Sequence, residues 1–456
     1  MQILTTIALI VIAILLFELI IFFHEGGHFI SAKLSGVKVN EFALGMGPKI
    51  FSFKKGETQY SLRLFPIGGF CAMEGEDEES DEPRAFNNAK IWKRMIIVVA
   101  GAVMNILLGL IFMLFFVMQA DVFSSTTIDV FEPNSYSANC GLQEGDKILK
   151  INDYTIWNSR DLTFSFTGVE CVEVDGKSLE VYKQDCANAA CDVFRELVES
   201  KKINENNSDK LYKTLQKDCR EINKAKSKED ALSLLEVAVK NLYESVGVSD
   251  YTIPTITEKE TRPRYIADVI VERDGQEVLL EDVQFFTYMS QSAKEGDKPS
   301  VALDFYVQPI EKNFFTVIGE TFSQTASIAK MVGYSLVWIV EGRFGFTDLS
   351  GPVGIATAVT QVASQGLEVN FGAAVMNILF VMILITVNLG MFNMLPFPAL
   401  DGGRFVFLII EGIFRKPIPR KVEQYVNATG FIILILFMMI VSVKDVWQLF
   451  TGQLTI

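Results

Sequence analysis

The stretch His24-Glu25-Gly26-Gly27-His28 lies at the inner end of an apolar run that begins at the N-terminus. Residues four apart share one face of a helix, so the two imidazoles are placed to bind one metal ion, with Glu25 beside them. These are the only two histidines among 456 residues. The pattern therefore predicts a metal site in a helix. The alternative is a pair of polar residues that only mark where a membrane helix meets water.

The composition is that of a membrane protein with a large water-facing part. Half of the residues are hydrophobic, and the mean hydropathy is +0.29. This excludes an ordinary soluble enzyme. The formal net charge is −14, and the block from Asp121 to Lys312 holds 36 acidic and 23 basic residues, which gives −13. So acidic a balance argues against a nucleic-acid partner.

Four apolar segments are predicted to span a membrane, because each is long enough with its flanks: Ile3 to Phe23, Met95 to Met118, Phe371 to Leu395 and Phe431 to Val443. The first has neither a basic start nor a small-residue cleavage site, so we expect it to be retained. Basic residues cluster between the first and second segments and between the third and fourth. The positive-inside rule then predicts a multi-pass cell-membrane protein with both termini outside.

Within the N-terminal membrane part, residues 1–120, the segment between the first two spans does not have a helical pattern. Glycine and proline separate two short strand-like runs, Pro48 to Lys54 and Thr58 to Leu64. They predict a re-entrant β-hairpin on the cytoplasmic side, whose edge could accept another strand.

The acidic block, residues 121–312, contains a signature that resembles PDZ domains: Gly141-Leu142, then Gly145-Asp146, then a strand ending at Asn152. We expect an extracytoplasmic α+β PDZ domain, interrupted at about 165–262 by a helical insertion. Cys140 stands where the signature usually has alanine. Outside the cytoplasm, the four cysteines from Cys171 to Cys219 could form two disulfides in three ways, although an anaerobic habitat would leave them reduced.

Residues 313–370 are apolar but interrupted by charges, which predicts amphipathic helices on the outer membrane surface. The C-terminal membrane part, residues 371–456, carries Asp401 in the motif Leu400-Asp-Gly-Gly403. We expect Asp401 at the cytoplasmic end of the third span, at the depth of His24 and His28. An ionisable residue next to a span is costly and therefore a functional candidate. Two histidines and one carboxylate make a three-ligand zinc site with an open position, which is the catalytic pattern.

With these motifs in place, the chain resembles the site-2 proteases, specifically the bacterial sigma-factor-regulating branch (regulator of sigma-E protease-like) with a PDZ domain. The matching stretches follow the family order and cover nearly the whole chain: His24 to His28, Pro66 to Gly69, Ala100-Gly101 with Asn105, Gly351 to Gly354, and Asn393 to Gly403. The chain departs from the family at Ala102, where proline is usual, and in the helical insertion.

The resemblance implies that His24, His28 and Asp401 bind Zn²⁺ and that Glu25 activates water. It also implies that Asn388 and Asn393 lie near the scissile peptide. The expected substrates are single-span membrane proteins, such as anti-sigma factors or signal-peptide remnants, cut within or near the membrane after a first extracytoplasmic cleavage. Membrane lipid and an extracytoplasmic ligand of the PDZ domain are the other expected partners.

Two other classes of function compete with this interpretation. A PDZ-bearing receptor with a structural or lost metal would need a closed fourth ligand, yet the chain has no further histidine. A transporter with a midplane ion site is the second alternative. Four spans without an internal repeat, and a glutamate adjacent to the first histidine, fit hydrolysis better than transport.

Overall fold

The computed structural model describes residues 2–76, 80–132, 135–169, 171–173, 179–200, 202–203, 205–249, 251–256, 263–288, 299–343 and 349–451. Parts of the predicted helical insertion therefore lie outside the described residues. The chain divides into two compact units, Met1–Asp121 with Lys312–Ile456, and Val122–Glu311.

The elements follow one another along the chain as α1 (Gln2–Ser35), β1 (Val39–Lys55), β2 (Thr58–Met73), α2 (Ile91–Val117), β3 (Val122–Phe131), α3 (Tyr136–Asn139), β4 (Lys147–Ile151), β5 (Tyr154–Thr155), α4 (Ser159–Phe164), β6 (Val172–Glu173), α5 (Leu179–Glu199), α6 (Glu205–Asn223), α7 (Lys228–Ser245), β7 (Pro263–Arg273), β8 (Gln276–Tyr288), β9 (Ser300–Ala302), β10 (Phe305–Glu311), α8 (Phe314–Val340), α9 (Pro352–Val369), α10 (Phe371–Asn393), α11 (Asp401–Phe414) and α12 (Arg420–Thr451).

Four helices of the first unit are long and apolar enough to cross a membrane, which confirms the predicted number of candidate spans in the described part of the chain. They contain the segments Ile7–Ser35, Ile91–Val117, Phe371–Asn393 and Lys421–Thr451. α1 continues without a break through His28, so the metal-binding pattern and the first apolar run belong to one helix. Residues 313–370 form two helices, α8 and α9.

The hairpin of β1 and β2 is longer than the sequence indicates and strongly bent. Phe42 lies opposite both Tyr60 and Cys71, which requires the chain to fold back on itself. Gly45 and Gly68 allow this, because their φ angles of 76° and 87° lie in the left-handed region. The hairpin exposes large apolar side chains, which form a surface suited to lipid or an apolar partner: Met46, Ile50, Phe51, Phe53, Leu62, Leu64 and Phe65.

The second unit combines an antiparallel sheet with a three-helix bundle. The strand order is β10-β3-β4-β7-β8-β9, and β5 and β6 pair with β4 and β7. Ile151 of β4 lies opposite Val269 of β7, so the sequence on either side of the insertion forms one sheet. Within the insertion, α5, α6 and α7 share an apolar core that includes Leu197, Leu215, Leu235 and Val239.

The six cysteines are thiols in this structure. In the insertion, the Sγ atoms of Cys191 on α5 and Cys219 on α6 lie 4.0 Å apart. Cys140 is half-buried. Of the three disulfide arrangements left open by the sequence, this contact favours the one that joins Cys191 to Cys219.

Candidate active site

The site is built where α1 crosses α2, and two glycines allow that crossing. A Cβ added to Gly27 would lie 2.7 Å from the carbonyl carbon of Ala100 and 2.8 Å from Cγ of Met104. A Cβ added to Gly101 would lie 2.7 Å from Cε1 of both His24 and His28. Real Cβ atoms do not approach other atoms so closely. The helix backbones therefore come together only because small residues stand at the contact, as is usual in membrane helix pairs.

α2 also fixes the orientation of both imidazoles. His28 donates its Nδ1–H to the carbonyl oxygen of Ile97 at 2.8 Å. Nδ1 of His24 lies 3.2 Å from the side-chain amide of Asn105, which is fully buried. With Nδ1 held in this way, each ring presents Nε2 as a lone-pair donor to a metal.

The amide of Asn105 fits this arrangement when its oxygen faces His24. As placed, Nδ2 points at the ring, and Oδ1 has no hydrogen-bond partner within the described residues. Rotating the side-chain amide by 180° exchanges Oδ1 and Nδ2, so that Oδ1 accepts the Nδ1–H of His24. The buried oxygen is then satisfied, and Nε2 of His24 is the atom left for a ligand bond.

Asp401 is presented by a tight loop rather than by the third span itself. The expectation that it ends that span is wrong: α10 ends at Asn393, and Asp401 is the first residue of α11. Pro396 and Pro398 explain the break, because proline has no N–H to continue a helix. The following Gly402 allows the return of the chain, since a Cβ there would lie 2.5 Å from the carbonyl carbon of Met394.

Three potential ligand atoms converge at this point. Nε2 of His24 lies 3.3 Å from Nε2 of His28, and Oδ2 of Asp401 lies 3.4 Å from the first and 3.3 Å from the second. Ligand atoms bound to one tetrahedral zinc ion at its usual bond lengths lie about 3.3–3.4 Å apart. The donor set and its spacing therefore fit zinc, and no other such group of histidine, cysteine and carboxylate ligands occurs in the described part of the chain.

The charge state of Asp401 suits a metal ligand. Burial opposes ionisation of this carboxyl, but His24 and His28 outweigh the burial and hold its pKa below the usual range. Its Oδ2 also has no hydrogen-bond partner among the residues that the structure describes. An ionised, buried oxygen facing two imidazole nitrogens is a site that a cation would complete.

Ion pairs hold α11, which carries Asp401, against the rest of the first unit. Arg404, one turn after Asp401, pairs with Glu76 just beyond β2. Arg94 of α2 pairs with Glu411 at 2.5 Å, and both side chains are largely buried. α11, and with it Asp401, is therefore anchored to the segment that follows β2 and to α2.

Glu25 lies against the hairpin, next to the ligands. A Cβ added to Gly69 of β2 would lie 3.3 Å from Cγ of Glu25, so the strand backbone passes beside the glutamate. Nδ2 of Asn393 lies 3.4 Å from Nε2 of His24. Asn388 is exposed on α10 and, five residues earlier, lies about 140° around the helix from Asn393. The structure thus brings Asn393 to the ligands and gives Asn388 a different direction.

Two histidines on one membrane helix, a carboxylate from a second helix and an adjacent glutamate define a metal-dependent hydrolase centre in a multi-pass membrane protein. The model of peptidase family M50, the site-2 protease family, matches residues 12–437. The chain belongs to this family and is a zinc metalloprotease.

Curated relatives carry corresponding names. The chain is 29% identical over 452 residues to the regulator of sigma-W protease RasP of Bacillus subtilis, with 96% of this chain and 98% of the relative covered. It is 31% identical over 446 residues to the zinc metalloprotease RasP of Bacillus licheniformis, with 96% and 98% covered. A zinc metalloprotease RasP of Geobacillus kaustophilus is 27% identical over 464 residues, with 96% and 97% covered.

Proposed function

We propose that this protein is an intramembrane zinc endopeptidase that cuts single-span membrane proteins within or near their transmembrane segment. The observation that carries the proposal is the position of the three converging ligand atoms. Two of them belong to α1, a helix apolar enough to cross a membrane. A peptide bond that reaches them must therefore come from a chain at membrane depth.

In this proposal His24, His28 and Asp401 hold the zinc ion, which when bound acts as a Lewis acid toward the scissile carbonyl and the attacking water. Glu25 takes the proton from the water and gives it to the leaving amine. Asn393, at 3.4 Å from His24, is close enough to donate a hydrogen bond to the substrate backbone. Asn388 has an exposed side chain that can hold the same substrate further from the zinc.

The hairpin supplies the means to hold an unwound substrate. A helical peptide bond is shielded by its own hydrogen bonds, so cleavage requires an extended segment whose backbone groups are satisfied elsewhere. β2 passes beside Glu25, and an extended segment added to the hairpin edge would lie next to that glutamate.

The arrangement in the cell follows from the charge pattern. We place the termini and residues 121–312 outside the cytoplasm, and the metal centre and a re-entrant hairpin toward the cytoplasmic side, in a cell membrane. Residues 121–312 are then a PDZ domain with a helical insertion, residues 313–370 contact the outer membrane surface, and membrane lipid surrounds the rest. Substrates are proteins of the anti-sigma-factor type or signal-peptide remnants, which fits the name of the Bacillus subtilis relative.

The roles of the two carboxylates are tested on purified variants, with zinc content and cleavage of a model single-span substrate as readouts. Glu25→Gln keeps all three ligands, so we expect zinc near one per chain and cleavage lower by about 10²–10⁴-fold. Asp401→Ala leaves two imidazoles, so we expect loss of both zinc and cleavage. Zinc lost from the first variant but kept in the second would overturn the ligand assignment.

The order of cleavage is a separate test. The proposal expects wild-type protein to cut a substrate whose extracytoplasmic domain has been removed and to leave the untrimmed substrate intact. Equal cleavage of both substrates would refute the requirement for a first cut, while leaving the protease activity itself in place.

A further inference from the structure

The motif Gly351-Pro-Val-Gly354 contributes no atom to the metal centre, yet it begins α9. The first N–H groups of a helix have no partner within the helix and need an acceptor from elsewhere. Gly351 has no side chain that can supply one. An acceptor from another element is therefore required.

Asp445 of α12 supplies it. The side chain is fully buried, and its Oδ2 accepts hydrogen bonds from the N–H of Gly351 at 2.9 Å and of Gly354 at 2.8 Å. The preceding Lys444 donates to the carbonyl oxygen of Leu349, and its Nζ lies 3.2 Å from Oδ1 of Asp445. Asp445 therefore accepts from two backbone N–H groups of the segment 349–354, and the neighbouring Lys444 donates to one of its carbonyl oxygens.

A side chain at either glycine of the motif would crowd the carboxylate. A Cβ on Gly351 would lie 2.8 Å from Cγ1 of Val441 and 3.0 Å from Oδ2 of Asp445, and one on Gly354 would lie 3.1 Å from the same oxygen. A carboxylate in a helix that spans a membrane is costly unless its partners are close and well aligned. The glycines provide the space in which the backbone reaches it.

The helix held in this way is one wall of an apolar cavity of about 370 Å³ between α1, α9 and α10. At its other end α9 is packed directly on α10, because a Cβ on Gly366 would lie 2.5 Å from the backbone nitrogen of Ala374. The cavity is lined by apolar side chains from all three helices and the hairpin, including Phe17, Pro66, Pro352, Ile355, Val359 and Met382.

Two elements run from the cavity lining toward the active site. Phe17 on α1 precedes His24 by seven residues, or about two helical turns. Pro66 on β2 precedes Gly69, the residue beside Glu25, by three. A chain leaving the cavity along α1 or β2 therefore arrives at the glutamate.

We propose that Asp445 is a positioning residue for substrate binding: by tying α9 to α12, it holds open the cavity that receives apolar side chains of the transmembrane segment of a single-span substrate. The proposal rests on the function proposed above. An apolar segment is the occupant that fits, since the lining is apolar apart from Thr360 and Ser364, and two of the helices around it, α1 and α10, are apolar enough to cross a membrane. Lys444 supports the carboxylate and the backbone segment that it binds.

The test uses the full-length zinc protein with two substrates, a detergent-solubilised single-span protein and a short water-soluble peptide with the same scissile sequence. Asp445→Ala removes the acceptor of two backbone N–H groups and is expected to raise KM for the single-span protein by at least about tenfold, the factor for one hydrogen bond to a charged group. Its kcat, its zinc content and its KM for the peptide stay at the wild-type values. Asp445→Asn keeps an acceptor oxygen and is expected to restore most of the affinity.

Gly354→Ala is the second variant, since it leaves the carboxylate in place but crowds it, and it is expected to raise the same KM. Glu368→Ala, at an exposed carboxylate on α9, is the matched control and keeps wild-type constants. An unchanged KM in Asp445→Ala and Gly354→Ala, or an equal loss of activity on both substrates, would overturn the proposal. Failure of the wild type to cut the single-span protein would instead refute the proposed function.

Discussion

At the metal centre, α1 and α2 meet at two glycines, Gly27 against the backbone of Ala100 and Gly101 against the two imidazoles, whereas in the helical insertion α5, α6 and α7 meet through aliphatic side chains such as Leu235. Membrane helices gain little from burying apolar side chains, because lipid is equally apolar, so small residues and polar contacts hold them together. The insertion has charged outer faces and an apolar core, which is the pattern stabilised by the hydrophobic effect. Adding a methyl group is therefore the damaging change in the first region, and removing methyl groups is the damaging change in the second.

The largest effect is expected from Gly27→Ala. The new Cβ would lie 2.7 Å from the carbonyl carbon of Ala100, so α1 and α2 must move apart, and His24 and His28 move with α1. A displacement of about 1 Å at a catalytic site can cost 10²-fold in rate. We expect at least that loss of cleavage, together with loss of zinc.

The neighbouring glycine is the matched control. A Cβ on Gly26 meets nothing within 4 Å, so Gly26→Ala should keep zinc and cleavage and stabilise the helix slightly. Wild-type zinc content in Gly27→Ala would show that the close helix contact is not what positions the histidines, and the comparison between the two regions would fail.

Asn105→Ala is expected to have the next largest effect. It removes the partner of Nδ1 on His24 without moving a helix, and loss of such an outer contact typically costs about 10–100-fold in metal affinity. Asn105→Asp keeps an acceptor toward that Nδ1–H and should retain more affinity. The measurement is the zinc Kd by competition with a chelator, and equal values for wild type and Asn105→Ala would remove Asn105 from the site.

These residues also mark the limit of prediction from the sequence. The spacing of His24 and His28 is local, so helix geometry alone predicted that they share a face. The contact with Asn105 depends on how α2 is rotated against α1, and the role of Ile97 depends on a backbone carbonyl that leaves no trace in the residue type. Both contacts belong to tertiary structure. The family resemblance identifies the position of Asn105 but not what its side chain contacts.

The boundaries of elements were predicted less well than their existence. The hairpin was expected at 48–64, but β1 and β2 extend from Val39 to Met73, because glycines in left-handed conformations let the strands bend where the sequence suggests a break. The spans could be predicted from apolar length alone, because each of the two membrane parts, 1–120 and 371–456, contains two long apolar segments. Asp401 was assigned to the wrong helix, since the two prolines before it end α10 early.

Leu235→Ala tests the other region and should leave cleavage unchanged. Leu235 is fully buried in the core of the insertion, so its truncation is expected to cost about 2–5 kcal/mol in the unfolding of the second unit. Val237→Ala, at a half-exposed position on the same helix, should cost far less. Thermal unfolding and cleavage are measured together, and a loss of zinc in Leu235→Ala would show that the two regions are not independent.

The smallest effect on catalysis is expected from joining Cys191 to Cys219. Their Sγ atoms lie 4.0 Å apart, and a disulfide needs about 2.0 Å, so a small rotation of the side chains closes the bond. Treatment with oxidised glutathione should form it by exchange, converting one glutathione disulfide into two thiols for each bond made. A crosslink between α5 and α6 should stabilise the insertion by about 2–4 kcal/mol and leave cleavage unchanged.

Peptide mapping identifies the linked residues, and Cys191→Ser is the control that cannot form the bond. A link from Cys191 to Cys171 or Cys186 would show that the insertion packs differently, and a change in cleavage on oxidation would show that the metal centre depends on it.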